Sequence, residues 1–413
     1  RSGAAHLALG SALMAIRRYD AAAAAFRAAR RRMPSEPDAV LRLAEALRRQ
    51  QRPAAALSLL ASALRRWPDA APLHQMRARL LLDRMNPEAA LAAAGKAVAA
   101  APAQASPRFT LASVLGRLGQ VEEGLAACDA GLALDPRDPA GWNTKGALYA
   151  QHGRLSAAVR CYRRGIACQP DHPQCLFGLG LVALTLGDWA SGWPLYEWRW
   201  LGSNFDIGLA RPELPGGRWW AGGALDGRRL LVMGEQGHGD TLQFSRLLAL
   251  LPRPAAVRLA VGQPLLRLMR QGLGTMPVPV EVVDRSAMPA AEGDDFITLM
   301  SIPARVGLTQ DSLPPFTSWV RADPSEVRAW RPRLGEPQRP RVGFVWRGNP
   351  ELAGDRWRSI VLDEWRPLLE RGEVEWISLQ KLEGPCEQER RILARHGIAD
   401  FSDGLRAFAD TPA

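Results

Sequence analysis

Small and large apolar residues recur at a fixed interval through the first 200 positions of the chain. In the first unit, Ala22, Phe26 and Ala29 form a small-large-small triplet. The same places in the next four units hold Ala56, Leu60, Ala63; Ala90, Ala94, Ala97; Gly124, Cys128, Gly131; and Ala158, Tyr162, Gly165. Small residues let two helices approach closely, and large ones fill the gap to the next pair. The pattern therefore predicts two antiparallel helices in each unit.

A proline closes each unit, since a residue without an N–H group ends a helix. The five prolines are evenly spaced, at Pro34, Pro68, Pro102, Pro136 and Pro170. Their interval equals the length of a tetratricopeptide unit, which is about 34 residues. The pattern over residues 3–200 resembles the tetratricopeptide repeat family. The resemblance implies an α-solenoid of about six repeats at residues 1–200 that binds a protein or peptide partner.

A tryptophan-rich segment, residues 187–200, contains four tryptophans, and Trp219 and Trp220 follow soon after. It lies at the end of the predicted sixth repeat. Because the end of a solenoid exposes an apolar face, we expect these side chains to bury that face against the next domain. The alternative is an aromatic platform on which a sugar or base stacks. Residues 201–226 are rich in Gly and Pro and are predicted to be a linker.

From residue 227 onward, short apolar runs alternate with amphipathic stretches, which indicates parallel strands joined by helices. Strands are predicted at 229–233, 257–261, 278–283, 296–299, 341–346 and 374–379, and helices at 241–251, 264–271, 362–371 and 387–396. A break with two prolines follows residue 335. We therefore predict one Rossmann-like domain at 227–335 and the start of a second at 339–413.

A glycine-rich loop separates the first predicted strand from its helix. Its candidate cleft residues are Gly234, Gln236, Gly237, Gly239 and Thr241. A phosphate-binding P-loop needs Lys where Asp240 stands, and the glycine spacing differs from the dinucleotide fingerprint. Two interpretations of Asp240 remain. Its carboxylate accepts a proton from a hydroxyl substrate, or it caps the helix.

A second loop follows the strand at 341–346 and carries three arginines, Arg347, Arg356 and Arg358. Arginine forks bind phosphate oxygens through two hydrogen bonds, so the loop is a candidate diphosphate site. The alternative is a solvated basic loop. The other candidate residues of this site are Asn349, Ser359, Gln380 and Lys381.

Four segments occur in an order that resembles bacterial tetratricopeptide-repeat glycosyltransferases: residues 235–244, 346–350, 356–359 and 376–381. The catalytic part of that family is similar to heptosyltransferases and, more distantly, to protein O-linked N-acetylglucosamine transferases. The resemblance implies a GT-B fold, with 227–335 on the acceptor side and 339–413 on the donor side. It also implies metal-independent transfer of a sugar from a nucleotide-sugar donor, without a cofactor and with Asp240 as general base.

The donor-side domain holds only about 75 residues, against the 100–150 of a typical domain. We therefore expect it to be C-terminally truncated, and the chain as written to be inactive. The alternative function is a non-enzymatic tetratricopeptide scaffold. The chain begins with Arg1, so we also expect its N-terminus to be incomplete.

The net charge of +11 lies in the first 200 residues, which hold 26 Lys and Arg against 15 Asp and Glu. It indicates either a basic inner surface for an acidic partner or helix faces solvated by arginine. Few aromatic residues lie among these cations in the early repeats, which argues against a nucleic-acid partner. The chain has no run of apolar residues long enough to span a membrane.

Two of the five cysteines, with one histidine, raise the question of a metal site. Cys168, His172 and Cys175 are three ligands, whereas a structural zinc site uses four, and we expect no metal. Reduced thiols are typical of a cytoplasmic protein, which is the location that we expect.

Overall fold

The computed structural model describes residues 2–201, 216–273, 276–287, 294–313, 322–348, 358–382 and 386–404, and the single residues 214, 320 and 355. The chain forms two compact units, Arg1–Leu186 and Gly187–Ala413. The tryptophan-rich segment begins the second unit, so the predicted repeat boundary at residue 200 lies inside that unit. In the described residues, no helix is long and apolar enough to cross a membrane.

The first unit consists of paired helices, which we call A helices (odd numbers) and B helices (even numbers). They are α1 Gly3–Ala15, α2 Tyr19–Arg32, α3 Pro37–Arg49, α4 Pro53–Arg66, α5 Ala71–Asp83, α6 Pro87–Ala100, α7 Ser106–Arg117, α8 Val121–Leu134, α9 Pro139–Gln151, α10 Leu155–Cys168 and α11 Pro173–Thr185. Successive B helices begin one repeat length apart, and the predicted solenoid of helix pairs is confirmed.

Large side chains fill the space that small residues leave between helices. Phe26 is 1% exposed and lies against Gly10, where a Cβ atom would come within 2.3 Å of its ring. Tyr162 packs in the same way against Gly146 and Gly178. The small-large pattern therefore has the packing role that the sequence predicts.

The turn from each A helix to its B helix contains a residue in the left-handed conformation. These residues are Arg17, Gln51, Met85, Gly119 and Gly153, with φ of 57°, 58°, 56°, 80° and 72°. The B helix begins two residues later, and the turn closes by a backbone bond such as Asn86 N–H to Leu81 O at 2.9 Å. Glycine suits this conformation, so the first three turns carry a backbone cost that the next two avoid.

The second unit begins with α12 Trp189–Tyr196 and a 3-10 turn at Glu197–Trp200. A five-stranded parallel sheet follows: β1 Arg218–Trp219, β2 Arg229–Met233, β3 Ala256–Val261, β4 Val280–Asp284 and β5 Asp295–Thr298. Its order is β1-β5-β2-β3-β4. The associated helices are α13 His238–Ser245, α14 Gln263–Gly272, α15 Ile302–Val306 and α16 Pro324–Leu334.

Strand β1 lies in the segment predicted to be a linker, 201–226. It pairs with β5 over two residues, Arg218 with Asp295 and Trp219 with Phe296. Two residues are too few for a recognisable alternating pattern. The surrounding Gly and Pro residues are typical of a linker, which is why no strand was predicted here.

A smaller second sheet pairs β6 Arg341–Phe344 with β7 Glu375–Ser378. Helices α17 Arg366–Leu369 and α18 Glu387–Arg395 accompany it. Its core contains Phe344, Trp346 and Leu393, all at most 5% exposed. The predicted helix at 362–371 is a 3-10 turn, Leu362–Trp365, followed by one turn of α-helix.

Two buried aspartates tie the strands together at the amino end of the larger sheet. Asp295 pairs with Arg218 at 2.8 Å, and Asp294 pairs with Arg229 at 2.8 Å and with Arg258 at 2.5 Å. Both carboxylates are at most 3% exposed. These ion pairs join β5 to β1, β2 and β3 and so help to set the register of the sheet.

Candidate functional site

All strands of the larger sheet are parallel, but the side on which the chain adds new strands changes between β2 and β5. From β2 the chain adds β3 and β4 on one side, while β5 lies on the other. In parallel sheets such a reversal leaves a crevice outside the carboxyl ends of the two strands. The glycine-rich loop after β2 and residues 299–301 after β5 border this crevice.

The backbone of the glycine-rich loop approaches the sheet closely at its first residue. Gly234 N–H donates to Ala260 O at 2.8 Å, and a Cβ atom on Gly234 would lie 3.1 Å from that oxygen. Gln236 has a φ of 58°, and its amide donates to the Tyr196 hydroxyl at 2.6 Å. Gly239 faces open space, so its lack of a side chain serves no packing role.

Asp240 is the third residue of α13, and Gly237 is the N-cap. The Asp240 carboxylate accepts a hydrogen bond from Gly237 N–H at 2.9 Å. The buried Thr241 hydroxyl donates to Gly237 O at 3.3 Å. Asp240 thus makes a helix-capping contact. The capping interpretation places it at the N-cap, whereas the structure has Gly237 there and Asp240 three residues later.

The side chain of Arg199 lies beside the crevice and is 2% exposed. Its guanidinium donates to Glu235 Oε1 at 3.1 Å and to Ser301 Oγ at 2.7 Å. It also pairs with Glu197, which in turn binds Arg305 at 2.7 Å. Glu235 Oε1 further accepts Met300 N–H at 3.0 Å. A cation from the tryptophan-rich segment therefore joins the two loops that border the crevice.

Aromatic contacts hold the tryptophan-rich segment on the same part of the fold. Trp193 meets Phe244 edge to face at 5.8 Å between ring centroids, and Trp200 meets Trp219 at 6.3 Å. Trp193 and Trp200 are 8% and 7% exposed. Buried rings of this kind build a core, whereas a stacking platform for a sugar needs exposed ring faces.

The second predicted loop is held by contacts within the smaller sheet. Arg347 forms a two-bond ion pair with Glu389, at 2.8 and 3.3 Å. The Gln380 side chain accepts the N–H groups of Trp346 and Arg347 at 3.3 and 3.2 Å. Arg347 thus has a carboxylate partner within its own sheet.

The remaining candidates of this loop differ in position. Ser359 Oγ accepts Gly348 N–H at 2.9 Å. Arg358 is 61% exposed and lies 3.9 Å from Asp355. Lys381 is exposed after β7. Asn349 and Arg356 lie outside the described residues. The structure therefore brings Arg347, Gln380 and Ser359 together around one backbone turn.

The A helices of the first unit form a continuous layer. Consecutive A helices pack against each other, whereas contacts between consecutive B helices are sparse. The A helices therefore line the inner side of the solenoid. Their polar side chains connect neighbouring repeats: Arg42 donates to Ser11 at 3.1 Å, and Gln75 donates to Ser106 at 2.8 Å and to Thr110 at 3.2 Å.

An ion-pair cluster occupies the inner side between α3 and α5. Glu45 accepts hydrogen bonds from Arg48 and Arg49 at 2.9 Å each, and Arg48 also pairs with Asp83 at 3.4 Å. Burial alone would raise the pKa of Glu45. The hydrogen bonds and charges of Arg48, Arg49 and Arg79 outweigh it, and its pKa lies below the ordinary value.

Part of the positive charge of the repeats lies at the ends of B helices. Arg30, Arg31 and Arg32 form the last turn of α2, and Arg65 and Arg66 form the last turn of α4. Cations at helix C-termini interact favourably with the helix dipole. The inner cations Arg42 and Arg48, by contrast, have carboxylate partners.

His172 and Cys175 both form hydrogen bonds within the repeats. His172 is the N-cap of α11, and its Nδ1 accepts Cys175 N–H at 3.3 Å. The Cys175 thiol donates to Pro139 O at 3.5 Å. Among the described residues, no group of three or more His, Cys, Asp or Glu side chains is placed to hold a metal.

Sequence reasoning missed two features of these sites. Arg199 stands in the tryptophan-rich segment, and nothing in its spacing shows that it reaches Glu235. The hydrogen bonds between A helices had a detectable signal, because Gln75, Ser106 and Thr110 all stand at inner positions of the repeat.

Comparison with known proteins identifies the first unit. Residues 7–71, 76–139 and 143–196 match the family model described as tetratricopeptide repeat. The first half of the chain is built from tetratricopeptide repeats. The chain is also 29% identical over 237 residues to protein FlbA of Caulobacter vibrioides (strain ATCC 19089 / CIP 103742 / CB 15), covering 52% of this chain and 37% of FlbA. The matched region thus spans little more than a third of that relative.

Two solved structures resemble part of the chain. The thermophilic tetratricopeptide protein TTC0263 of Thermus thermophilus has 24% identity and a TM-score of 0.41, covering 44% of this chain and 100% of its own. MamA from residue 41 to its end, from Desulfovibrio magneticus RS-1, has 17% identity and a TM-score of 0.33, covering 41% and 96%.

Proposed function

We propose that the chain is a protein-interaction module whose A helices bind an extended segment of a partner protein. The continuous inner layer of A helices carries this proposal, because it is a long surface rich in hydrogen-bonding side chains. Repeat solenoids use such surfaces for binding.

Peptide display tests the inner layer directly. Display of random 12-residue peptides against the intact chain selects binders, whose affinities are then measured by fluorescence polarisation. Ser113→Arg on α7 and Ala140→Arg on α9 place a long side chain on A helices at exposed positions. Each should weaken binding by about tenfold or more, which is about 1.4 kcal/mol.

Ala130→Arg is the matched control, since Ala130 is an exposed residue of the B helix α8. We expect this variant to bind the selected peptides as the parent chain does. Equal loss in all three variants, or no loss in the A-helix variants, would contradict the proposed surface.

The second candidate function is glycosyl transfer, and one observation favours it. The order β4-β3-β2-β5 is that of the first four strands of doubly wound nucleotide-binding sheets, with Asp240 at the loop that follows β2. In this function Asp240 accepts the proton of a hydroxyl acceptor, and Arg358 approaches the donor diphosphate from its exposed position.

Calorimetric titration of the full-length protein with a panel of nucleoside-diphosphate sugars tests this candidate. Binding of one donor, with transfer abolished in Asp240→Asn, would support it. Asn keeps an oxygen that can accept Gly237 N–H, so the helix cap survives in the variant. Failure of the whole panel to bind would remove the candidate.

A further inference from the structure

Three evenly spaced cysteines lie where the fifth helix pair meets α11. Cys161 and Cys168 belong to α10, and Cys175 belongs to α11. Gly165 stands between the first two, and positions 161, 165 and 168 share one face of α10, because residues three and four apart are neighbours on a helix. All three cysteines are reduced in the structure. The proposed function gives these thiols no role.

The absence of a side chain at Gly165 makes room for the sulfur of Cys175. A Cβ atom on Gly165 would lie 2.4 Å from Cys175 Sγ, so this sulfur rests on the backbone of α10. The Cys175 thiol also donates to Pro139 O, the first residue of α9, at 3.5 Å. The fold therefore places the Cys175 sulfur against the helix face that carries Cys161 and Cys168.

Helix geometry favours Cys168 over Cys161 as the partner of Cys175. Cβ atoms three positions apart on a helix are about 5–6 Å apart, and each Cα–Cβ bond is tilted toward the helix N-terminus. The side chain of Cys168 therefore leans toward the Cys175 sulfur above Gly165, and that of Cys161 leans away from it. Burial, followed by the charge of Cys168 and then that of Cys161, raises the pKa of Cys175 to about 12.

The two thiols differ in their access to an oxidant. Cys168 is half-buried and is the last residue of α10, so a small oxidant reaches it, and a helix end adjusts its backbone readily. Cys175 is fully buried and is protonated near neutral pH because its pKa is raised. Since exposure and thiolate character govern the oxidation of cysteine, Cys168 reacts first and Cys175 second.

We propose that Cys168 is an oxidative modification site and that it forms a disulfide with Cys175. A hydroperoxide, ROOH, transfers one oxygen atom to the Cys168 thiol, which gives a sulfenic acid and ROH. The Cys175 sulfur then attacks the sulfenic sulfur; the S–S bond forms, the S–O bond breaks, and the oxygen leaves as water with the thiol proton.

The disulfide exchanges one contact of α11 for another. It removes the S–H group that donates to Pro139 O of α9, and it ties α11 to the end of α10 instead. In a reducing compartment such a bond is transient, so the junction of α10 with α11 is redox-sensitive. This inference is independent of the proposed function.

Tryptic peptides of the intact chain test the pairing. Trypsin leaves Cys168 and Cys175 together on peptide 165–199 and Cys161 on another peptide. The reduced chain is treated with a stoichiometric amount of hydrogen peroxide, its remaining thiols are blocked with N-ethylmaleimide in urea, and the digest is weighed by mass spectrometry. We expect peptide 165–199 to lose both maleimide additions and two hydrogen atoms. Dithiothreitol given before the maleimide should restore both additions.

Cys161→Ser is the matched control and should cross-link as the parent chain does, whereas Cys168→Ser should retain a maleimide on Cys175. The cross-linked chain should unfold at a higher temperature than the reduced chain, since a disulfide restricts the unfolded state. A lower unfolding temperature would show that the bond forces the helices apart, and it would overturn the inference.

Four other results would also overturn it. They are two maleimide additions after peroxide, a link from peptide 165–199 to the peptide of Cys161, a sulfinic acid at Cys168 beside an unlinked Cys175, and a cross-link between two chains. Each of these results would leave the proposed function standing.

Discussion

Replacement of Arg199 by Met tests whether the crevice network stabilises the second unit. Met has an unbranched apolar side chain, and it replaces the guanidinium, whose central carbon lies 4.5 and 4.2 Å from the centres of the Tyr196 and Trp200 rings. It removes the charge and leaves the Glu235 carboxylate, 4% exposed, without its cation. Breaking one partner of a buried ion pair costs about 3–5 kcal/mol, and we expect that loss in the free energy of unfolding.

The double variant Arg199→Met, Glu235→Gln isolates the charge. Gln keeps an oxygen that can accept Met300 N–H, now at 3.0 Å from Glu235 Oε1, and it introduces no uncompensated charge. Because replacing both members of a buried pair is often nearly neutral, the double variant should recover about 2 kcal/mol or more of the loss.

Urea unfolding followed by hydrogen exchange measures these values in the second unit. Exchange at the Met300 and Gly234 amides reports on the loops after β5 and β2, and should accelerate in the single variant and recover in the double one. A loss below about 1 kcal/mol for Arg199→Met, or additive losses in the double variant, would refute the reasoning.

Three further predictions concern the repeats. Met85→Gly should raise stability by about 0.5–1 kcal/mol in urea unfolding, since Met85 has a φ of 56° and glycine adopts that conformation without a steric penalty. Trp142→Phe should cost about 1 kcal/mol in the same assay, because the indole N–H donates to Pro136 O at 2.9 Å. Folding lowers the pKa of Glu45, so its ion pairs stabilise the fold fully at pH values above 4.5, the ordinary pKa of a glutamate. This stabilisation is lost as the pH falls through the lower pKa of the folded state. Acid titration of unfolding should show this loss, and Glu45→Gln should reduce it; an unchanged profile would contradict the assignment.

The periodic half of the fold was predictable because each repeat has the same packing problem. The position of Ala22 is small in each of the first five repeats and that of Phe26 is large in most of them, and both residues are at most 1% exposed in the structure. The strand at 229–233 was also predictable, since four of its five residues are buried and apolar. Strand β1 was not, because two residues between glycines carry no pattern of their own.

The candidate sites were less predictable, because side-chain partners depend on contacts between distant segments. The loop sequence around Asp240 cannot reveal that its carboxylate bonds Gly237 N–H. Arg347 has a carboxylate partner, Glu389, 42 residues later in the chain. Charge and glycine spacing predict where a loop lies in the fold. Which hydrogen-bond donors and acceptors already have partners can be seen only in the folded structure.

The two halves of the chain differ in how they use their polar groups. In the second unit, Arg199 and Glu235 bond to each other beside the crevice, so a ligand there must compete with contacts that the fold already makes. On the A helices of the repeats some polar side chains also bond to each other, Gln75 to Ser106 among them, but exposed small residues such as Ala140 leave surface over which a ligand displaces only water. Binding is favoured where the interactions gained exceed those given up. The surface that we propose for a partner meets this condition better than the crevice does.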